Sequence, residues 1–218
     1  MLSPIQNRVQ RVVAGVILDS RFALAGGGAL ISLGLTARQT NDLDYFSSDE
    51  NDVALYVPQV IAALQLDGLE VEIAQQSNAF VRMSVSSESE RTEVDFGLDA
   101  RLFPTQVGEF SPVLSSRELA VDKVLAIFGR AAARDFVDLA ALTQFFDLES
   151  LLNLAKEKDP GFDISFFLQA TNRFEAIRLT EFGISNSEHS DLGKEVEIWR
   201  SRVREIIRDR TNDLGLSR

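Results

Sequence analysis

Two aspartates, Asp42 and Asp44, lie one residue apart and are followed by the aromatic pair Tyr45 and Phe46. If this segment is a strand, its side chains alternate, so both carboxylates face one side while Leu43 faces the core. Carboxylates at this spacing repel each other, and a divalent cation between them would cancel the repulsion. Oxygen ligands of this kind suit Mg²⁺, which binds one or two carboxylates together with substrate phosphates. The pattern therefore predicts a magnesium site that holds a phosphorylated substrate.

A glycine run at residues 26–28 precedes the aspartates and follows the apolar run at residues 22–25. Glycine has no Cβ atom, so the backbone here can approach a phosphate closely, and a helix beginning at Ala29 would point its N–H groups at that phosphate. Taken alone, a glycine run is usually a turn, and an Asp-x-Asp triplet is usually a solvated strand end. Their combination on a strand–helix–strand unit favours a nucleotide site.

This combination resembles the nucleotidyltransferase fold superfamily, in which an apolar run, two small residues and a helix precede Asp-x-Asp. The fuller pattern is similar to the AbiEii-type branch, whose members are toxins of bacterial toxin–antitoxin and abortive-infection systems. The residues that match this branch are Gly26, Gly27, Ala29, Leu30, Arg38, Thr40, Asp42, Leu43 and Asp44. Gly28 departs from it, because the branch often has Thr or Ser there. The resemblance implies an α+β fold, with a nucleotidyltransferase-like mixed sheet flanked by helices and followed by a helical C-terminal part.

The resemblance also implies roles for individual residues. The residues expected to bind the nucleoside triphosphate are Gly26, Gly27, Arg38 and Thr40. The residues expected to act in catalysis are Asp42, Asp44, Lys123 and Asp135. The residues expected to bind Mg²⁺ are Asp42, Asp44 and Asp95.

Asp95 enters this set as a third carboxylate. Residues 92–98 alternate in polarity, so a strand here would place Glu93 and Asp95 on one face and Val94 and Phe96 on the other. By resemblance to many nucleotidyltransferases, Asp95 is the candidate metal ligand and Glu93 is the reserve on the same face. The alternative is a solvated strand face without a metal.

Lys123 and Asp135 lie on two predicted helices, the first opening near Ser116 and the second covering residues 133–145. Lys123 has apolar neighbours, so its stem could lie on the core with the ammonium in water. The alternative, favoured by resemblance, places the ammonium on the triphosphate, where it would offset the charge of the leaving group. Asp135 would then orient Lys123 or the attacking hydroxyl, whereas Asp138, one turn later, has a structural role.

Composition sets limits on the kind of protein. A net charge of −11 argues against a nucleic-acid binder held by bulk electrostatics. With one His and no Cys, a structural zinc site and a disulfide scaffold are not expected. The sequence shows neither a secretory apolar segment at its start nor an apolar run of membrane-spanning length, so we expect a cytoplasmic protein with no membrane partner.

Two domains are predicted along the 218 residues. Residues 1–146 form the nucleotidyltransferase-like domain, and residues 147–218 form a helical C-terminal region packed on it. Within the second region, the polar segment at residues 182–191 reads as a loop and residues 192–210 as a helix.

The resemblance implies a reaction and its partners. A nucleoside monophosphate would pass to an acceptor, with a tRNA 3′ end as a plausible RNA target, and translation would stop. A cognate antitoxin is implied, and in part of this branch it is a kinase that modifies the position held here by Thr40. Two alternatives stay open: a nucleotidyltransferase acting on a small cationic acceptor of the aminoglycoside kind, and a binding protein that has kept the fold without catalysis.

Overall fold

A computed structural model describes residues 1–213 of the chain. The strands are β1 (Ala23–Ala25), β2 (Asp42–Ser47), β3 (Glu70–Gln76), β4 (Phe80–Ser86), β5 (Arg91–Leu98), β6 (Gln106–Val107) and β7 (Pro112–Val113). The α-helices are α1 (Pro4–Val16), α2 (Gly26–Ser32), α3 (Asp52–Leu66), α4 (Ser116–Gly129), α5 (Ala133–Leu142), α6 (Leu148–Lys158), α7 (Ile164–Thr171), α8 (Leu179–Phe182) and α9 (Asn186–Asp213). A short 3₁₀ helix, Asn172–Ala176, follows α7.

Contacts divide the chain into two compact units, Met1–Leu119 and a second that begins at Ala120. The domain boundary after residue 146 stays a prediction from the sequence. Within the described residues, the strands of the first unit form one seven-stranded sheet in the order β3-β4-β5-β2-β1-β7-β6. The pairs β2–β5 and β1–β7 are parallel and the others are antiparallel, so the sheet is mixed, as predicted.

An aromatic cluster fills the core of the first unit beneath the middle of the sheet. The ring of Phe96 lies edge-on to Phe22 at 5.2 Å and stacks on Tyr45 at 5.1 Å. Offset and edge-to-face contacts of this kind add to the free energy gained by burying the rings. Since Tyr45 and Phe96 lie on β2 and β5, the same packing that fills the core also fixes the two strands that carry the acidic residues.

The second unit is helical, and α9 packs against α5, α6 and α7. Its largest fully buried side chain is Trp199, on the inner face of α9. Arg200 is also buried, and its guanidinium donates to the Thr171 carbonyl oxygen at 2.6 Å and to the Glu175 carboxylate at 2.9 Å. No helix within residues 1–213 is both long and apolar enough to span a membrane.

Two local predictions were wrong. The helix after the first strand begins at Gly26 rather than Ala29, because Gly26 adopts φ +57° and turns the chain directly from β1 into α2. Most of the predicted loop at residues 182–191 is helical, because α9 already begins at Asn186. Ser185 and Glu188 exchange hydrogen bonds between side chain and backbone there, which is the capping-box arrangement that starts a helix.

Candidate active site

Asp42 and Asp44 lie on one face of β2, which confirms the predicted alternation. Burial alternates along the strand: both aspartates are partly exposed, whereas Leu43 and Tyr45 are fully buried. The buried side chains of Leu43 and Tyr45 anchor β2 to the core on the opposite face of the strand. The two carboxylates are therefore presented side by side towards solvent from a rigid element.

The glycine turn packs directly against this acidic face. In the antiparallel pair of β1 and β2, Ala25 lies opposite Asp44, so the turn that follows β1 meets the Asp44 side chain. A Cβ atom at Gly26 would overlap the Asp44 carboxylate. A Cβ atom at Gly27 would lie 2.5 Å from Nη2 of Arg38 and 3.0 Å from Oγ1 of Thr40. Polar side chains of the site therefore occupy the space beside both glycines, and a larger residue at either position would displace them.

The segment before β2 is fixed by hydrogen bonds. The Thr40 hydroxyl donates to the Asp42 carboxylate. Gln6 of α1, 2% exposed, donates from Nε2 to the Thr40 carbonyl oxygen at 2.9 Å and to Oγ1 of Thr92 at 3.4 Å. The Thr92 hydroxyl donates in turn to the Asn41 carbonyl oxygen at 3.0 Å. Buried side-chain amides that use their donors in this way hold backbone in one conformation, so Gln6 positions Thr40 and Asp42.

The predicted third carboxylate lies next to the pair. Strands β2 and β5 are parallel, with Asp42 opposite Glu93 and Asp44 opposite Asp95. In-register residues of neighbouring strands share a face, so all four carboxylates lie on one side of the sheet. Asp95 is buried, and both of its oxygens accept from Arg82: Oδ1 from Nε at 2.8 Å and Oδ2 from Nη2 at 2.6 Å.

Arg82 was not predicted to belong to the site. It lies on β4 directly opposite Asp95, and its side chain is 42% exposed. The hydrogen bonds that Arg82 donates to Asp95 raise the pKa of the Arg82 guanidinium, and the nearby charges of Asp95, Glu93 and Asp44 raise it further. A permanently charged guanidinium therefore lies among the carboxylates of the sheet. The sequence contains no local signal for it, because an isolated Arg on an alternating strand is usually a solvated residue.

Lys123, Asp135 and Asp138 come together within the second unit. The Lys123 ammonium is buried, 2.9 Å from Oδ2 of Asp138 and 3.5 Å from Oδ1 of Asp135. Arg130 donates to both Asp135 oxygens, each at 2.9 Å. Burial alone would raise the pKa of Asp135, but the hydrogen bonds from Arg130 and the charge of Lys123 outweigh it and hold that pKa below its usual value.

The surroundings of Lys123 bear on its two predicted roles, an ammonium in water or an ammonium on the triphosphate. The ammonium does not extend into water, as a snorkelling side chain would, but is buried against two carboxylates. Buried charges are tolerated when they are paired in this way. The catalytic roles of Lys123 and Asp135 stay predictions.

The acidic face of β2 fits Mg²⁺ chemically. Two carboxylates on adjacent outward positions supply the number of protein ligands that Mg²⁺ usually takes, with phosphate and water oxygens completing its octahedral shell. The glycine turn packs its backbone against the Asp44 carboxylate, so a phosphate held by a metal ion at Asp44 would lie near that backbone. In residues 1–213 no group of three or more His, Cys, Asp or Glu side chains is arranged to hold a metal ion.

Comparisons with known proteins agree with this fold. A family model described as nucleotidyl transferase AbiEii toxin, type IV toxin–antitoxin system, matches residues 11–210. The structure is similar to JHP933 from Helicobacter pylori, with 17% identity, 99% of each chain covered and a TM-score of 0.59. It is also similar to the nucleotidyltransferase toxin MenT4 (Rv2826c) from Mycobacterium tuberculosis, with 17% identity, 92% of this chain and 81% of that chain covered and a TM-score of 0.53. At this identity both similarities show the fold alone, and no curated protein sequence matches the chain.

Proposed function

The chain belongs to the AbiEii nucleotidyl transferase toxin family, and from that premise we propose that it transfers a nucleoside monophosphate from a nucleoside triphosphate to RNA with the help of Mg²⁺. Family membership makes it a nucleotidyltransferase toxin with a cognate antitoxin. The observation that carries the finer proposal is the pair Asp42 and Asp44 on the outward face of β2, with the glycine turn packed against it.

The reaction exchanges a phosphoanhydride bond of the triphosphate for a phosphoester bond to the acceptor. An acceptor hydroxyl oxygen forms a bond to the α-phosphorus, and the bond from that phosphorus to the bridging oxygen of the β-phosphate breaks. Pyrophosphate leaves with the electron pair, and the hydroxyl proton passes to water. No covalent protein intermediate is needed, so the protein acts mainly by positioning and by stabilising charge.

Each residue of the β2 face has a part in this proposal. Asp42 and Asp44 hold Mg²⁺, which when bound neutralises charge on the phosphates. Gly26 and Gly27 bring the backbone close to the triphosphate. Arg38 and Thr40 lie beside Gly27 and are proposed to bind the nucleotide from that side.

The proposed acceptor is the 3′ end of tRNA, in the cytoplasm, and its modification would inhibit translation. The toxin character of the family supports an acceptor that is essential for growth. The net charge of −11 means that an RNA would be held by local contacts rather than by the overall field. The same charge favours one second candidate, a cationic small-molecule acceptor.

We also propose that the antitoxin is a kinase that phosphorylates Thr40. The Thr40 hydroxyl already contacts the Asp42 carboxylate and lies beside Gly27. A phosphate on that oxygen would carry about two negative charges. It would repel the carboxylates and occupy the space of the triphosphate. Phosphopeptide mapping of the toxin inhibited by its antitoxin should find Thr40 modified, and inhibited protein with unmodified Thr40 would exclude this mechanism.

The acceptor is tested by incubating the protein with Mg²⁺, total bacterial RNA and each labelled nucleoside triphosphate in turn. We expect label in tRNA, and none after periodate oxidation has destroyed the 3′-terminal hydroxyls. Label that survives oxidation would contradict a 3′-end acceptor. If no RNA is labelled with any nucleotide, RNA is not the acceptor and a cationic small molecule becomes the next substrate to assay.

A further inference from the structure

We infer that Asp95 anchors Arg82 rather than binding a metal ion, so that the site combines one Mg²⁺ at Asp42 and Asp44 with one fixed guanidinium for the triphosphate. The inference deepens the proposed nucleotidyl transfer and rests on it. It assigns Arg82 a role as the second cation of the site and replaces the metal-binding role that the sequence suggests for Asp95.

The first support is the geometry of the Asp95 carboxylate. Both of its oxygens accept hydrogen bonds from Arg82, at 2.8 Å and 2.6 Å, in the paired arrangement that makes Arg–carboxylate contacts strong and directional. Asp95 is 5% exposed, so water offers little to replace this partner. A metal ion at Asp95 would bind oxygens that already accept from Arg82 and would lie close to the guanidinium, so the two positive charges would repel each other.

The second support is the cross-strand register. Arg82 lies opposite Asp95, Asp95 opposite Asp44, and Asp44 opposite Ala25, the residue before the glycine turn. Across β4, β5, β2 and β1, one row of neighbouring positions therefore holds a cation, two carboxylates and the residue before the glycine turn. Asp95 lies between Arg82 and Asp44 in this register, so its negative charge is shared between the guanidinium and a metal ion at Asp44.

The third support is the exposure of the guanidinium. Nε and Nη2 are used by Asp95, and the ring of Phe80 lies 5.7 Å from the Arg82 Cζ atom. The Arg82 side chain is nevertheless 42% exposed, and its position opposite Asp95 places it on the acidic face of the sheet. A rigidly held guanidinium matches the geometry of phosphate oxygens, which is the usual reason for an arginine at such a place.

The test measures Mn²⁺ binding by the loss of its free electron paramagnetic resonance signal, with inorganic triphosphate binding in EDTA as a second readout. We expect one Mn²⁺ per chain in the wild type. Asp95→Asn should keep the Mn²⁺ affinity within about twofold, whereas Asp44→Asn should weaken it by roughly tenfold or more. Arg82→Gln should lose triphosphate affinity in EDTA. Arg91→Gln is the matched control, since Arg91 lies on the same sheet with its charge exposed and should keep that affinity.

The outcomes separate the inference from the proposed function. If Asp95→Asn and Asp44→Asn lose Mn²⁺ equally, Asp95 is a metal ligand and the inference is wrong, while the proposed function stands. If Arg82→Gln and Arg91→Gln lose triphosphate equally, the effect is one of overall charge and Arg82 has no special role. If the wild type binds no Mn²⁺, the proposed function itself fails.

Folding is controlled by a second variant. Should Asp95→Asn unfold, the double variant Arg82→Met with Asp95→Leu removes both charges together, which is far less costly than leaving one of them buried alone. It should still bind one Mn²⁺ with the wild-type affinity. Loss of Mn²⁺ from a folded double variant would overturn the inference.

Discussion

Replacing Gly26 with Ala should damage activity far more than stability. Gly26 has φ +57°, and a side chain in the left-handed region costs about 1–2 kcal/mol. The added Cβ would also lie 1.8 Å from Oδ2 of Asp44. The carboxylate must therefore move by about 1 Å or more to reach a normal van der Waals distance. A displacement of about 1 Å in a catalytic group lowers the rate by roughly a hundredfold. We therefore expect a folded protein, 1–2 kcal/mol less stable by the same left-handed penalty, with about 1% of its activity.

Gly34→Ala is the matched control. Gly34 has φ +69°, so the backbone penalty is the same, but a Cβ atom there would meet nothing within 4 Å. The free energy of unfolding is measured by urea denaturation, and activity by the initial rate of label transfer to RNA. Both variants should lose similar stability, and only Gly26→Ala should lose activity. Equal activities would refute the reasoning, because the Asp44 carboxylate would then not need its present position.

Two further predictions concern buried polar groups. Gln6→Leu leaves the Thr40 carbonyl without its donor, so it should lower the free energy of unfolding in urea by about 1–3 kcal/mol and lower the transfer rate. Gln10→Leu, one turn along α1, is the control. It should leave both quantities unchanged, since Nε2 of Gln10 has no hydrogen-bond partner among the described residues. Equal losses would contradict the role given to Gln6. Asp135→Asn should lower the free energy of unfolding at pH 7 by about 1–3 kcal/mol, because it removes the charge of a buried carboxylate that accepts two hydrogen bonds from the half-exposed Arg130. The pKa of Asp135 is lowered in the folded protein, so its stabilising effect is complete above its ordinary pKa of about 4 and is lost as the pH falls through the folded value. The difference in free energy of unfolding between wild type and Asp135→Asn should therefore shrink in acid. A difference that stays constant with pH would contradict this prediction.

The parts of the site that were predictable from sequence are local. The alternation of Asp42, Leu43 and Asp44 is a property of three consecutive residues in any strand, so the shared face of the carboxylates followed directly. The same reasoning placed Glu93 and Asp95 on one face of the later strand. Resemblance suggested Asp95 as a third carboxylate of the site, but the β2–β5 register that places this face beside the first pair is known only from the structure.

The parts that were missed depend on distant contacts. Arg82 joins the site only because β4 pairs with β5 in a register that places it opposite Asp95. Gln6 reaches the Thr40 carbonyl across 34 residues, and nothing near it in the sequence marks it as more than a polar position on a helix. In contrast, the early start of α9 had a local signal, since Ser185 and Glu188 have the spacing of a capping box.

The most direct test of the proposed site is the rate of pyrophosphate release, which reports nucleotidyl transfer whichever nucleotide is transferred and whichever RNA accepts it. Wild type and Asp44→Asn are compared in Mg²⁺ with total bacterial RNA and all four nucleoside triphosphates. We predict release by the wild type and a loss of about a hundredfold or more in the folded variant. An Asp44→Asn protein that releases pyrophosphate at the wild-type rate would contradict the assignment of the carboxylate pair on β2 as the site of transfer.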